Sequence, residues 1–174
     1  MPNQQPVVTS LRGRHFATSA AAVLGIVVDQ AERILLLSSQ KRPGAWEVVN
    51  GGLEANETLL EGALREVREE AGSQVRVRPL GVVHASTFHY DDVVQYMISV
   101  YFLFAYEGGE VTPGDDMAGS AYRWWSLEEL RAEPPRLLVP NNDELWLLER
   151  AVELYRLWRD RPLPAIAHPS GGRN

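Results

Sequence analysis

The chain has 174 residues, no cysteine, 45% hydrophobic residues and a formal net charge of -6. This composition is typical of a globular protein and disfavours disorder and collagen-like structure. The absence of cysteine excludes disulfides, thiolate metal ligands and a cysteine nucleophile, and the acidic balance disfavours a broad basic surface for nucleic acid.

The sequence predicts one domain, residues 18–161, between two flexible ends. Residues 1–17 are polar and have no periodicity, and residues 162–174 are rich in Pro and Gly, a composition that orders poorly. The apolar run at residues 20–28 is too short to span a membrane. We therefore expect a cytoplasmic protein without membrane contact.

The first half of the domain is predicted to alternate strands with one helix. Leucine-rich and β-branched runs predict strands at residues 20–28 and 33–38. A short strand at residues 46–49 is predicted to end at the Asn50-Gly51-Gly52 segment, because paired glycines usually break a strand. The helix follows at residues 58–71.

The boundaries of this helix are marked by specific residues. Thr58 and Glu61 have the spacing of a capping box, in which each side chain bonds the other residue's backbone amide. Gly72 fits a left-handed cap at the C-terminal end.

The second half of the domain predicts three further strands and a terminal helix. The strands are expected at residues 75–83, 93–106 and 121–126, with a loop at 108–119. Residues 142–160 carry an amphipathic helical pattern. Strands on both sides of one helix, followed by a second helix, predict a mixed α/β sandwich.

Three acidic residues, Glu66, Glu69 and Glu70, lie on one face of the central helix at spacings i, i+3 and i+4. Like charges at this spacing cost a helix about 0.2–0.5 kcal/mol per pair, and the C-terminal end of a helix disfavours negative charge. A solvated face of mixed charge is the usual explanation of such a helix. The alternative is a site for a hard cation, because Mg²⁺ prefers carboxylate, water and phosphate oxygens.

Residues 51–73 resemble the signature of the Nudix hydrolase family, also described as MutT-like. The pattern is Gly, five residues, Glu, seven residues, Arg-Glu, an apolar residue, any residue, Glu-Glu, any residue, Gly and an apolar residue. The seven polar or glycine positions of this pattern coincide by chance in roughly one in 10⁸ windows. The resemblance therefore favours the cation site over a solvated helix face. Only Ser73 departs, where an aliphatic residue is usual. The matching residues are Gly51, Glu57, Arg65, Glu66, Val67, Glu69, Glu70 and Gly72.

The resemblance implies a Nudix α/β/α sandwich with a mixed central sheet, a catalytic loop–helix–loop and a C-terminal helix. It implies that Glu66, Glu69 and Glu70 bind Mg²⁺ together with the backbone carbonyl of Asn50. Mn²⁺ is expected to substitute for Mg²⁺.

The resemblance also implies a structural brace and a phosphate loop beside the metal. Glu57 and Arg65 correspond to an ion pair that holds the loop against the helix. Gly51 and Gly52 would let the backbone approach metal and phosphate closely.

The function that the resemblance implies is Mg²⁺-dependent hydrolysis of a diphosphate linkage in a nucleoside diphosphate joined to another moiety. Nucleoside triphosphates, dinucleoside polyphosphates and nucleotide sugars are the substrate classes. The general base is left open between a glutamate of the signature, Glu69 or Glu66, and a carboxylate of the loop at 113–118. That loop resembles a Gly-Asp-Asp-Ala element of several members, which makes Asp115 or Asp116 the loop candidate.

Two positions that follow the signature give information on the class of substrate. Tyr90 lies near the position of a Tyr that is common in members acting on dinucleoside polyphosphates. Phe88 stands where ADP-ribose hydrolases often have Pro, which weighs slightly against ADP-ribose.

A catalytically silent Nudix domain that senses a nucleotide ligand is the alternative function. Such a domain is expected to lack carboxylates of the signature, and all of them are present here. The isomerase branch of the fold relies on a cysteine, which this chain lacks. We therefore expect a small-molecule nucleotide as partner and no nucleic acid, with a homodimer left open.

Overall fold

The computed structural model describes residues 6–38, 42–138 and 145–161. Short π-helical and 3₁₀ turns cover Val67–Ala71 and Asp115–Met117. The strands are β1 (Val7–Thr9), β2 (His15–Ala17), β3 (Ala20–Val28), β4 (Ile34–Ser38), β5 (Ala45–Glu47), β6 (Val49–Gly52), β7 (Arg76–Phe88), β8 (Met97–Gly108), β9 (Tyr122–Trp125) and β10 (Arg136–Leu137); the helices are α1 (Leu59–Glu66), α2 (Leu127–Ala132) and α3 (Leu145–Trp158).

Eight strands form one mixed sheet around β3. The strand order is β10-β5-β4-β3-β8-β7, with β6 paired to β3 and β9 paired to β4. β3 runs parallel to β8 over nine residue pairs and antiparallel to β4 and β6. Helix α1 packs on β3 from one side of the sheet, and α3 packs on β7, β3 and β8 from the other. The predicted α/β/α sandwich is confirmed.

Alternate residues of β3 supply the two hydrophobic cores. Val23 and Val27 pack into the core beneath α1, which includes Val67. Leu24 and Ile26 point to the opposite side and pack into the core beneath α3. A strand covered on both faces has no polar side, which explains why residues 20–28 form a continuous apolar run.

The structure differs from the expectation of a flexible N-terminal segment. Within residues 1–17, β1 and β2 form an antiparallel hairpin in which Val7 pairs with Ala17. The β-branched residues of β1 favour this extended conformation. All six strand residues are exposed. Residues 1–5 and the predicted tail at 162–174 lie outside the described residues.

The predicted helix at 58–71 and the strand at 20–28 are confirmed, whereas the strand predicted at 75–83 extends to Phe88 and the one predicted at 93–106 has other bounds. The strand predicted at 93–106 begins only at Met97, because the Asp91 carboxylate accepts from the backbone amides of Val93 and Val94 and holds a turn there. The helix predicted from residue 142 is described from Leu145 onward, and residues 142–144 lie outside the described ranges.

The predicted break at Asn50-Gly51-Gly52 is wrong. These residues belong to β6 and pair with β3, with Gly51 opposite Val23 and Gly52 opposite Ala22. Glycine in a strand often marks the close approach of another group. Here the side chain of Glu66 approaches Gly51.

Over the described ranges, no helix is long and apolar enough to cross a membrane. The cytoplasmic location and the homodimer stay predictions.

Leu103 lies at the centre of the sheet and provides a test of the packing. Its side chain is fully buried between Ile26 of β3 and Gly81 of β7. Leu103→Ala should lower the free energy of unfolding by about 2–5 kcal/mol, because it removes buried contacts and leaves a cavity. Ile98→Ala, on the same strand but 41% exposed, is the control and should change it by about 0.5 kcal/mol or less. Urea unfolding measures both, and equal losses would contradict the assigned core.

Helix α2 begins at a second capping box, which predicts a specific dependence of stability on pH. The Ser126 backbone amide and hydroxyl donate to Glu129, and Arg123 also donates to it. These bonds, the Ser126 amide first, lower the pKa of Glu129 to about 2. A carboxylate with a lowered pKa stabilises the fold above its ordinary pKa and loses this effect as the pH falls through the lowered value.

The stability difference between the wild type and Glu129→Gln should therefore be largest above about pH 4.5 and shrink toward pH 2. Thermal unfolding between pH 2 and 7, with the exposed Glu128→Gln as control, measures this difference. A difference independent of pH would contradict the assigned bonds.

Candidate active site

The edge strand β6 and the helix α1 form the site, and the fit between them requires a glycine. A Cβ atom on Gly51 would lie only 1.9 Å from Oε1 of Glu66. The glutamate carboxylate therefore occupies the space beside the strand that any side chain at position 51 would fill. The φ angle of Gly51 is not positive, so close approach and not backbone conformation explains this glycine.

The capping box at the start of α1 is confirmed and sets the register of the helix. The Glu61 amide donates to Thr58 Oγ1 at 3.3 Å, and Glu61 Oε2 accepts from the Thr58 amide at 2.8 Å. The last turn, Val67–Ala71, is π-helical, a widening that is frequent at functional sites. Gly72 ends it with φ +116°, where a Cβ atom would lie 2.7 Å from the Thr112 carbonyl oxygen.

Arg65 connects the strand, the loop and the acidic helix. Its Nε donates to Glu57 Oε1 at 2.7 Å, which forms the predicted brace. Its Nη1 donates to Glu66 Oε1 at 2.7 Å and to Glu69 Oε2 at 2.8 Å. Its Nη2 donates to the Gly52 carbonyl at 2.9 Å. The guanidinium thereby neutralises part of the negative charge that the box glutamates bring together.

Glu66 and Glu70 are carboxylates inside the protein, exposed by only 7% and 4%. Burial raises the pKa of Glu70 to about 9, opposed by the Asn50 amide, which donates to Glu70 Oε2 at 2.8 Å. Burial also raises the pKa of Glu66, opposed by Arg65. Both carboxylates therefore lie where an added positive charge would be strongly favoured.

The predicted loop carboxylate also belongs to this site. The charge of Asp116 contributes to the raised pKa of both Glu66 and Glu70, so its side chain lies within electrostatic reach of them. The loop is held there because the Gly114 amide donates to the Glu70 carbonyl at 3.2 Å.

The sequence analysis missed one acidic residue, Glu47. Its charge adds to the raised pKa of Glu70, and its Oε2 accepts from Asn50 Nδ2 at 3.2 Å. It lies on β5, outside the signature, and only its position four residues before the glycine pair could have indicated it.

The donor chemistry of the site fits a hard divalent cation. The side chains supply carboxylate oxygens at low solvent exposure, and the backbone is open at Gly52, where a Cβ atom would have no neighbour within 4 Å. Among the described residues, however, no three Asp, Glu or His side chains converge closely enough to hold a metal ion as they stand. Arg65 donates hydrogen bonds to Glu66 and Glu69, and Glu70 accepts a hydrogen bond from the Asn50 backbone amide. Ligation therefore requires these carboxylates to exchange their present partners for the ion.

Comparison with known proteins agrees with the fold and the signature. The chain is 33% identical over 105 residues to an ADP-ribose pyrophosphatase of Methanocaldococcus jannaschii, covering 59% of this chain and 60% of that protein. It is 26% identical over 138 residues to the NAD-capped RNA hydrolase NudC of Stutzerimonas stutzeri, covering 79% of this chain and 48% of that protein. The chain thus spans about half to three fifths of the length of these relatives.

Similarity extends to solved structures and to a defined family. The crystal structure of an ADP-ribose pyrophosphatase from Streptococcus suis superposes with a TM-score of 0.62 at 24% identity, covering 80% of this chain and 93% of that one. Residues 18–148 match the NUDIX domain. This match spans most of the chain and contains every residue of the signature, so the chain belongs to the NUDIX family.

Proposed function

We propose that this protein is a Mg²⁺-dependent hydrolase that cleaves the diphosphate linkage of a nucleoside diphosphate joined to another moiety. The observation that carries the proposal is the pair of buried carboxylates, Glu66 and Glu70, held against the glycine strand by the packing of α1 on the sheet. Two acids in a protein interior are costly, and the Arg65 guanidinium on Glu66 and the Asn50 amide on Glu70 offset only part of this cost. A site that binds a cation accounts for their presence.

Glu66, Glu69 and Glu70, with the Asn50 carbonyl, are the proposed ligands of Mg²⁺, and Mn²⁺ is expected to substitute. A bound divalent cation would neutralise diphosphate oxygens and make water easier to deprotonate. The four groups belong to α1, its π-helical turn and the adjoining strand β6.

The other residues of the site position the substrate. Gly51 and Gly52 provide a strand edge without side chains, which lets phosphate oxygens approach the backbone. Arg65 and Glu57 hold this edge against α1. The site thereby keeps the diphosphate beside the carboxylates, in the orientation that in-line attack by water requires.

The proposed general base is a carboxylate that accepts the proton of the attacking water. Glu69 is half-buried and lies beside Arg65, whereas Asp116 reaches the box glutamates from the opposite loop. Glu69 and Asp116 are therefore both carboxylates close to the proposed metal ligands, as a general base must be. Glu66 is the third candidate. Water attack on phosphorus yields a nucleoside monophosphate, or another phosphate, and the phosphorylated second moiety.

The substrate class is supported by the relatives. ADP-ribose and NAD, which their names contain, both carry a diphosphate bridge between adenosine and a second moiety. Phe88 stands at the position where ADP-ribose hydrolases often have proline, which argues slightly against ADP-ribose. A panel of ADP-ribose, NAD, nucleoside triphosphates, dinucleoside polyphosphates and nucleotide sugars, scored by released monophosphate or pyrophosphate, tests the proposal and separates these classes.

Removal of divalent metal should abolish hydrolysis of every substrate in the panel. EDTA is expected to reduce turnover to background, and added Mg²⁺ or Mn²⁺ should restore it, because the carboxylates alone supply no positive charge to the diphosphate. Ca²⁺ is a useful comparison ion because it is larger and less rigidly coordinated. Turnover that persists in EDTA would overturn the mechanism.

Glu70→Gln should separate metal binding from folding. The amide keeps an oxygen that can accept from the Asn50 amide, so the unfolding temperature without metal should not fall. Turnover should fall about a hundredfold or more, and the thermal stabilisation that Mg²⁺ or Mn²⁺ gives the wild type should disappear.

The matched control is Glu153→Gln, an exposed glutamate on α3, which should leave both turnover and metal stabilisation unchanged. Wild-type turnover of Glu70→Gln at saturating Mg²⁺ would show that Glu70 is not a metal ligand. Differential scanning fluorimetry and steady-state kinetics measure the two effects.

A further inference from the structure

The side chain of Asn50 is held by two hydrogen bonds beside the proposed metal site. Its Nδ2 atom donates to Glu47 Oε2 at 3.2 Å and to the Val48 carbonyl oxygen at 2.9 Å. Both neighbours are acceptors, so the amide must turn its NH2 group toward them, and both of its hydrogens are used. The half-buried side chain therefore has one preferred orientation.

The backbone of Asn50 faces the site and does not bond to β3. In an antiparallel pair of strands, hydrogen-bonded and non-hydrogen-bonded residue pairs alternate. The Leu53 amide donates to the Ala21 carbonyl, so the pair of Asn50 and Leu24, three positions along the ladder, is a non-hydrogen-bonded one. The amide and the carbonyl of Asn50 therefore both point away from β3, and the amide donates to Glu70 Oε2.

Two carbonyl oxygens lie on this outer edge of β6, those of Asn50 and Gly52. The Gly52 carbonyl accepts from Arg65 Nη2 at 2.9 Å. The Asn50 carbonyl, which is the proposed metal ligand, belongs to the peptide that joins Asn50 to Gly51. The direction of this one peptide therefore decides whether its oxygen reaches the cation.

This peptide requires support from a side chain. Glycine has more conformational freedom than any other residue, and Gly51 and Gly52 follow Asn50 directly. A carbonyl that binds Mg²⁺ must meet a nearly ideal octahedral geometry. The bonds of the Asn50 side chain restrict the residue that carries this carbonyl, on the side where the glycines cannot.

Glu47, the acceptor of one of these bonds, is fixed by the sheet. It lies on β5 opposite Leu37 of β4, and Leu37 is fully buried in the core beneath α1. Residues directly opposite each other in neighbouring strands share a face, so Glu47 lies on the α1 side with the site. A carboxylate placed by paired strands thus holds the side chain of Asn50.

We propose that Glu47 is a positioning residue, which acts through the Asn50 side chain to hold the Asn50 carbonyl toward the cation. The inference rests on the proposed function, because that function supplies the role of the carbonyl as a metal ligand. What matters at position 47 is the hydrogen-bond acceptor more than its charge. Partners that orient the ligands of a metal typically change its affinity by about 10- to 100-fold.

The first test measures the Mn²⁺ affinity of the full chain without substrate, from the electron paramagnetic resonance signal of free Mn²⁺. Glu47→Gln and Glu47→Ala both remove the charge, but only glutamine keeps an acceptor for Asn50. Glu47→Ala should therefore bind Mn²⁺ about tenfold more weakly than Glu47→Gln. When Asn50→Ala is added to each, the two should bind Mn²⁺ equally, because the acceptor has lost its donor.

The controls separate this role from loss of charge and from loss of folding. Glu54→Ala removes an exposed acid next to the glycine strand and should change Mn²⁺ affinity by less than about twofold. Unfolding temperatures in EDTA show which variants are folded during the titration. If Asn50→Ala is unfolded, Asn50→Ser replaces it, because one hydroxyl hydrogen cannot serve both acceptors.

The second test uses the Mg²⁺ dependence of turnover. The Mg²⁺ concentration for half-maximal turnover should be about tenfold higher in Glu47→Ala than in Glu47→Gln. At saturating Mg²⁺ the kcat values of the two variants should agree within about threefold, because the difference lies in binding of the ion. A large kcat difference that persists at saturation would show that position 47 acts on the chemical step, and would overturn the inference.

The outcomes distinguish failure of this inference from failure of the proposed function. Equal Mn²⁺ affinity of Glu47→Gln and Glu47→Ala would overturn the positioning role, even if the wild type hydrolyses diphosphates. A difference that persists without the Asn50 side chain would overturn it as well. If the difference requires Asn50 but no diphosphate is hydrolysed, the positioning role stands and the hydrolase proposal fails. If the wild type binds no Mn²⁺, both fail.

Discussion

The bonds of Arg65 with its surrounding acids hold the site together. Three glutamates crowded near the end of one helix repel each other and oppose the helix dipole. A single guanidinium reduces this repulsion by bonding Glu57, Glu66 and Glu69, and it bonds the Gly52 carbonyl with the same planar group. Because an arginine side chain presents five donors in a fixed plane, one residue can join the helix to the edge strand. Position 51 in turn is glycine because the Glu66 carboxylate beside it leaves no room for a Cβ atom.

The central strand β3 connects this arrangement to the rest of the fold. It pairs with β6, which bears the glycines, and with β8, which in turn pairs with β7. Its alternate side chains fill both cores, so α1 and α3 are positioned by the same nine residues. A shift of β3 by one residue would exchange its two faces. The position of Gly51 and Gly52 relative to β8 is therefore determined by the pairing of strands and does not depend on loops.

The parts that the sequence predicted are those in which local and tertiary preferences agree. The run at residues 20–28 favours a strand and is one, and Thr58 with Glu61 marks the start of a helix that is present. The Asn50-Gly51-Gly52 segment was predicted to break a strand because glycine does so locally, but a tertiary contact with Glu66 decides its role. The signature likewise brings Glu66, Glu69 and Glu70 to one face. It could not indicate that Arg65 engages two of them, because rotamers depend on packed neighbours.

Each side of the sheet contains polar groups that burial leaves in an unfavourable state. On the α1 side, burial and neighbouring charges raise the pKa of Glu70 and of Glu66. On the α3 side, the hydroxyls of Ser86 and Ser99 are buried and have no hydrogen-bond partner among the described residues. Natural proteins tolerate such departures from good packing mainly at functional sites. A divalent cation bound to the carboxylates would relieve the first of these departures, because its charge would offset theirs. Part of the stability that the free protein lacks would then appear as affinity for the cation.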